Sequence, residues 1–431
     1  MLFGHGRLRQ PTTDGVSLYG CDTRGYLYKT NLIDGREDWK RSMEVITGVT
    51  GAKCGSTPLV HINGLFVGDK RSGTLYKIDK TNGELLWKVT LDAHAYASIT
   101  QTPSEYKGVI YVGVNTLEPH ILRTEPNYPC CSFRGSVAAI ASSSGKVYWR
   151  TQLLPDDDRK LSGLAVVNDS PVIDANEGVI YVTTGPVYSA SQQTLANCFG
   201  ATRDASSCGL DQTNVAGNAI VSLNMITGAI KWSVRNTALK PSNYTSLASL
   251  YDNKRTMEFL QFVGPQTLLA YDNEGNVLVF DRYKTKLNYV SDVCTQGRLS
   301  KEFVSIKKDK GSRIDVKFIC DKNSFLQLGT LVLNITITDK KTNDHRLAFK
   351  EYQSTTLPIR AMAKSHMISV NDLIVHSAKI DTKSSHVTVN EETSGNTLFS
   401  GVIEGDTKGC IYIENKLVCT TDDEIYCYKM K

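Results

Sequence analysis

Short stretches of alternating apolar and polar residues recur along the chain, each closed by a glycine-bearing turn. Gly25-Tyr-Leu-Tyr-Lys29, Gly73-Thr-Leu-Tyr-Lys-Ile78, Gly135-Ser-Val-Ala-Ala-Ile140 and Asn218-Ala-Ile-Val-Ser-Leu223 read as strands. A polar turn follows each one, then a glycine, and four residues later a tryptophan. The pairs are Gly35 and Trp39, Gly83 and Trp87, Gly145 and Trp149, and Gly228 and Trp232. The chain has four tryptophans, and this pattern accounts for all of them. A second element precedes these strands: Gly64-Leu-Phe-Val-Gly68, Gly108-Val-Ile-Tyr-Val-Gly113 and Gly178-Val-Ile-Tyr-Val-Thr-Thr-Gly185. The repeating unit is therefore strand, turn, strand, glycine turn, and a last strand bearing Trp.

The tryptophans stand 48, 62 and 83 residues apart. Such spacings fit a four-stranded propeller blade of about 40–50 residues carrying loop insertions. Fainter copies continue beyond residue 235. Asp281 to Tyr289 keeps the frame, Gly395 and Phe399 keep the glycine-to-aromatic interval, and residues 417–428 read as a unit that stops before its last strand. The expected fold is all-β: one propeller over residues 1–431, with seven or eight four-stranded blades and eight the better count. The N-terminal strand completes the last blade, closing the ring and protecting its edges. Residues 12–235 hold the well-matched blades and 236–431 the divergent ones. Because Trp39, Trp87, Trp149 and Trp232 recur once per unit, they are expected to pack between blades, since an active site occurs once.

Composition narrows the field. With 41% hydrophobic and 22% charged residues, the chain reads as globular. No apolar run reaches the roughly 18 residues of a membrane span. The net charge is +5 over 431 residues, and the one local basic stretch, Lys307 to Lys317, is interleaved with Asp309 and Asp315. That is no nucleic-acid footprint. The 11 cysteines show no zinc or haem spacing. Their odd number, with sequons at Asn243 and Asn334, points to an extracellular or other oxidising compartment, although no signal peptide is visible at the N-terminus. Cys198 and Cys208 lie in a long insertion, 189–217, and are expected to clip it as a disulfide. The acidic run Asp156-Asp157-Asp158 reads as a solvated turn.

Three stretches carry a family resemblance. Asp92 to Pro103, Tyr128-Pro-Cys-Cys-Ser-Phe-Arg-Gly-Ser-Val137, and Ser162 to Asp174 running on to Gly185 resemble the quinoprotein (PQQ-type) alcohol dehydrogenases. The polyvinyl-alcohol-dehydrogenase-like members are the closest in pattern. The resemblance implies PQQ on the propeller axis, a calcium ion bridging quinone and protein, and an aspartate base. It implies that Cys130 and Cys131 form a vicinal disulfide covering the cofactor, with Arg134 beside it to bind an anion. Simple blade packing or separate disulfides are the other uses open to this cysteine pair.

The chain departs from that family at three places. Val167-Asn-Asp-Ser-Pro171 stands where the family has Trp-Gly-Ser-Ser-Pro, so a large aromatic is lost. Thr184-Gly-Pro186 stands where the family has Thr-Gly-Asn, and proline has no side-chain oxygen for a metal. No acidic motif follows Trp232, where Asp252 is the nearest carboxylate and reads as an exposed turn. The expected function is a catalytically degenerate propeller without cofactor, metal ligands or catalytic residues, binding a protein or glycan on one face. The competing reading is a PQQ- and calcium-dependent alcohol dehydrogenase acting on a primary or secondary alcohol.

Overall fold

The computed structural model describes residues 11–235, except 23, 126, 155–160, 168–169 and 190–216, together with 2–3 and the strands between 257 and 429. The expected disulfide between Cys198 and Cys208, the run at 156–158 and Asp252 all lie outside the described residues. What is described is almost entirely strand, with two short helices, α1 (Met43–Thr47) and α2 (Glu118–Thr124). Neighbouring strands pair antiparallel.

The first sheet joins Thr12–Thr13, Ser17–Cys21, Tyr26–Asn31 and Glu37–Ser42 in chain order. The second joins Leu59–His61, Gly64–Gly68, Gly73–Ile78 and Leu85–Asp92 in the same way. A third runs from Ala97 to Gln152 and a fourth from Val172 to Arg235. Further antiparallel sheets follow between Met257 and Lys429. Leu2–Phe3 pairs with Glu424–Lys429, Leu2 opposite Ile425, so the two ends of the chain share a sheet.

Burial follows from this stacking. The middle strands Gly64–Gly68, Gly73–Ile78 and Ser136–Ala141 are buried at every residue, because a neighbouring sheet covers each face. The outermost strand Leu85–Asp92 alternates with period two instead, as a strand covered on one side must. The cores lie between consecutive sheets. Tyr19 and Leu27 meet Leu65, Val67 and Tyr76. Phe66 and Leu75 meet Ile110, Val112 and Ala138, and Tyr111 and Val137 meet Ile180, Val182 and Val221.

The Gly-x3-Trp motif is the joint between sheets. The indole N–H of Trp39 donates to Lys80 O (3.3 Å), that of Trp87 to Ser142 O (3.3 Å) and that of Trp149 to Met225 O (3.0 Å). Each acceptor stands three residues before the glycine of the following sheet. A Cβ built on those glycines would lie 3.2 Å from the ring of Trp39 at Gly83, 3.0 Å from Trp87 at Gly145 and 2.5 Å from Trp149 at Gly228. The same glycines have φ of +73°, +75° and +71°. Glycine is thus needed twice over, for the left-handed turn and for the ring laid on it. Trp232 continues the series against Leu268, Ala270 and Phe280 of the fifth sheet.

One joint was not legible in the sequence. Cys21, at the end of a strand in the first sheet, is disulfide-bonded to Cys54 in the link leading to the second. Both are buried.

Candidate functional site

The connection from Val109–Thr116 to Ser136–Ala141 carries the residues that the sequence singled out. It begins with α2, where Glu118 N donates to Thr116 Oγ1 (3.1 Å). Glu118 is fully buried. Its carboxylate accepts from Tyr128 OH (2.9 Å), Ser132 N (2.8 Å) and Phe133 N (3.0 Å). A buried carboxylate persists only when donors replace its water, and here the loop supplies them. Burial, and then the bond to Glu118, pushes the Tyr128 phenol pKa well above its ordinary value.

Between those anchors the chain crests at Pro129, Cys130 and Cys131. Pro129 is exposed, the two cysteines are half-buried, and they are joined to each other as a vicinal disulfide. Phe133, fully buried among Ile99, Val112 and Val114, pins the loop's far end. Arg134 donates through Nη2 to Leu154 O (2.8 Å), so its guanidinium ties this loop to the segment following Val147–Gln152.

His94 borders the same loop. Tyr96 N donates to His94 Nδ1 (3.2 Å), which leaves the neutral ring's proton on Nε2, 2.9 Å from Ser132 Oγ. In that tautomer His94 donates towards Ser132 Oγ, and its Nε2 also lies 3.5 Å from Glu118 Oε1. Neither Glu118 nor His94 stands out in the sequence. Between the apolar run 109–114 and the cysteine pair the sequence has two acids, Glu118 and Glu125, each followed by proline, and nothing local singles out Glu118.

At the corner that the resemblance assigns to metal and quinone, Val167 and Pro186 are tied into the sheets by their backbones. Pro186 O accepts from Leu164 N (3.0 Å), and a Cβ on Gly217 would lie 3.5 Å from Pro186 Cα. Val167 N donates to Thr183 O (3.1 Å), and the Val167 side chain packs against the core formed by Ile99, Phe133 and Ala165. Among the described residues no three His, Cys, Asp or Glu side chains converge on one point.

Residues 3–205 match the family model described as outer membrane protein assembly factor BamB. A polyvinylalcohol dehydrogenase of a Pseudomonas species is 22% identical over 255 residues, 54% of this chain and 35% of the relative. Another, of a Sphingopyxis species, is 24% identical over 250 residues, 54% of this chain and 34% of the relative. The chain thus spans about a third of the length of the curated relatives it matches. Among solved structures, a quinohemoprotein alcohol dehydrogenase from Comamonas testosteroni superposes with a TM-score of 0.59 at 12% identity, covering 98% of this chain and 73% of that one. BamB from Moraxella catarrhalis superposes with a TM-score of 0.54 at 13% identity, covering 97% and 92%. The resemblance to the quinoprotein propellers, and to their polyvinyl-alcohol-dehydrogenase members, holds, and the fold is propeller-like.

Proposed function

We propose that this quinoprotein-like propeller, an eight-bladed ring closed by the pairing of Leu2–Phe3 with Glu424–Lys429, has lost the dehydrogenase site and serves as a protein-binding scaffold. The observation that carries this reading is the corner at Val167 and Pro186. Val167 is committed to the core, and Pro186 offers only a backbone carbonyl that already accepts from Leu164 N. A quinone needs a flat surface to stack on, and its metal needs side-chain oxygens. The match to the BamB family model supports a binding role for the same architecture. The disulfides Cys21–Cys54 and Cys130–Cys131 support an oxidising compartment. No helix of the described residues is long and apolar enough to cross a membrane.

The second reading is a PQQ- and calcium-dependent alcohol dehydrogenase. The vicinal disulfide Cys130–Cys131, held by Glu118, favours it, as does the similarity to two polyvinylalcohol dehydrogenases. Titration of the purified chain with PQQ and Ca²⁺, followed by absorbance and by alcohol-dependent dye reduction, separates the two. The scaffold reading expects neither saturable binding nor turnover. PQQ-dependent oxidation of any alcohol overturns it.

A further inference from the structure

We propose that the seam between the first two sheets carries a docking site for an acidic segment of a partner protein that also bears apolar side chains. The site goes beyond the scaffold reading and stands whether or not the chain turns over an alcohol. It lies where the second strand of each sheet turns into the third and where the first sheet leads into the second. Antiparallel strands put those connections, and the loop bearing Cys130 and Cys131, at the same end of the sheets.

The centre of the surface is apolar. Helix α1 is capped by Ser42, whose Oγ accepts from Val45 N, and its Met43 N donates to Gly25 O (2.7 Å). The helix buries Met43, Ile46 and Thr47 but leaves Val45 75% exposed, and Val49 just beyond it is 36% exposed. Beside this helix the fold gathers cations from three segments. A Cβ on Gly25, the neighbour of Arg24, would stand 3.1 Å from Lys53 Cγ. Lys70 N donates to Lys53 O (2.8 Å). A Cβ on Gly51 would stand 3.5 Å from Arg71 Nη1. Arg24, Lys53, Lys70 and Arg71 are therefore contiguous, and Arg24 and Arg71 are exposed.

Of the three acids beside them, Asp22 and Asp69 are buried, and Glu44 alone shares the surface with the cations. Asp22 is fully buried and accepts from Tyr26 N (2.8 Å) and Tyr28 OH, with Arg24 Nε 3.7 Å away. Asp69 is buried and accepts from Arg71 N (2.9 Å), Ser72 Oγ (3.0 Å) and Tyr76 OH (2.9 Å). Glu44 is exposed, and its carboxylate accepts from Gly51 N. Exposed apolar side chains beside a cluster of cations suit a protein partner, and the excess of exposed cations selects an acidic one. Two valines beside a five-residue helix are too small an apolar face to bury in lipid, which disfavours a membrane as the occupant.

The test uses the full chain and a fluorescein-labelled peptide alternating Glu and Leu, followed by anisotropy at low and at physiological salt. A Lys and Leu peptide of the same length is the control. The acidic peptide is expected to bind, to weaken with salt, and to lose about tenfold or more in affinity with K53E/R71E. V45N should weaken it as well. K146E, in a turn at the opposite end of the sheets, should leave affinity unchanged. Thermal melts verify folding, and K53Q/R71Q replaces the charge reversal if that variant unfolds. The proposal is overturned if the acidic peptide does not bind, or if K53E/R71E leaves its affinity intact. It is also overturned if phosphatidylserine vesicles, rather than the peptide, are the probe whose binding these residues control.

Discussion

The ring of Trp149 lies on the backbone of Gly228, 79 residues further along the chain, and its indole N–H closes the contact by donating to Met225 O (3.0 Å). Trp39 with Gly83 and Trp87 with Gly145 repeat that geometry. Gly35 has the same turn, with φ of +73°, but nothing lies within 4 Å of where its Cβ would be. The two glycines therefore separate two costs. G35A should lose about 1 kcal/mol for the left-handed backbone alone. G228A should lose clearly more, because the new methyl also strikes Trp149. W149A should cost about 3 kcal/mol, at the low end for a large aromatic since the ring is half-exposed. Urea melts of the three variants give the ranking, and equal losses for G35A and G228A would contradict the stacking account.

Glu118 should be the keystone of the vicinal-disulfide loop. E118A leaves the buried Phe133 N without its acceptor, and with it Ser132 N and Tyr128 OH nearer the surface. A loss of roughly 3–5 kcal/mol is expected, the range for removing one partner of a buried charged network. E118Q keeps one acceptor oxygen and should lose less. Both should speed reduction of Cys130–Cys131 by dithiothreitol, measured by thiol labelling, because the crest is then released. An unchanged labelling rate would mean that the loop is held elsewhere.

Acid should report on Asp14. Burial alone would raise its pKa, but bonds from Ser17 N, Lys80, Val16 N and Tyr19 OH outweigh that and bring it to about 2, from an ordinary 3.8. A carboxyl depressed in the folded state stabilises the fold at pH values above 3.8, and that contribution fades as pH falls through about 2. The melting temperature of D14N should lie below that of the wild type at pH 6, with the gap closing between about pH 4 and 2. Lys80 Nζ stands 2.9 Å from Asp14 Oδ2 across the joint of the first two sheets, so K80M should shrink the same gap.

The Cys21–Cys54 bond closes a separation of 33 residues. C21A/C54A should lower stability by about 2–4 kcal/mol, mostly through the freer unfolded chain. Comparing wild-type melts with and without reductant gives an independent measure. No difference in either experiment would show that the joint holds without its covalent link.

The sequence by itself determined the repeated strands, the glycine turns and the tryptophan joints between sheets, over the described part of residues 12–235. Those features are written locally. Period-two alternation fixes a strand, polar residues before a glycine fix a turn, and a Trp four residues beyond that glycine recurs with the unit. Beyond residue 235 no tryptophan marks the unit, and there the rhythm of the strands was all that could be read. What only the tertiary structure decided is what residues far apart do together. Cys21 met Cys54, and Glu118 gathered the backbone around the cysteine pair. Val167 and Pro186 turned out to be spent on packing, and Arg24, Lys53, Lys70 and Arg71 converged on α1. None of these leaves a period in the sequence. Each depends on which loops the stacked sheets bring to one end, and that is settled only when consecutive sheets bury their shared cores.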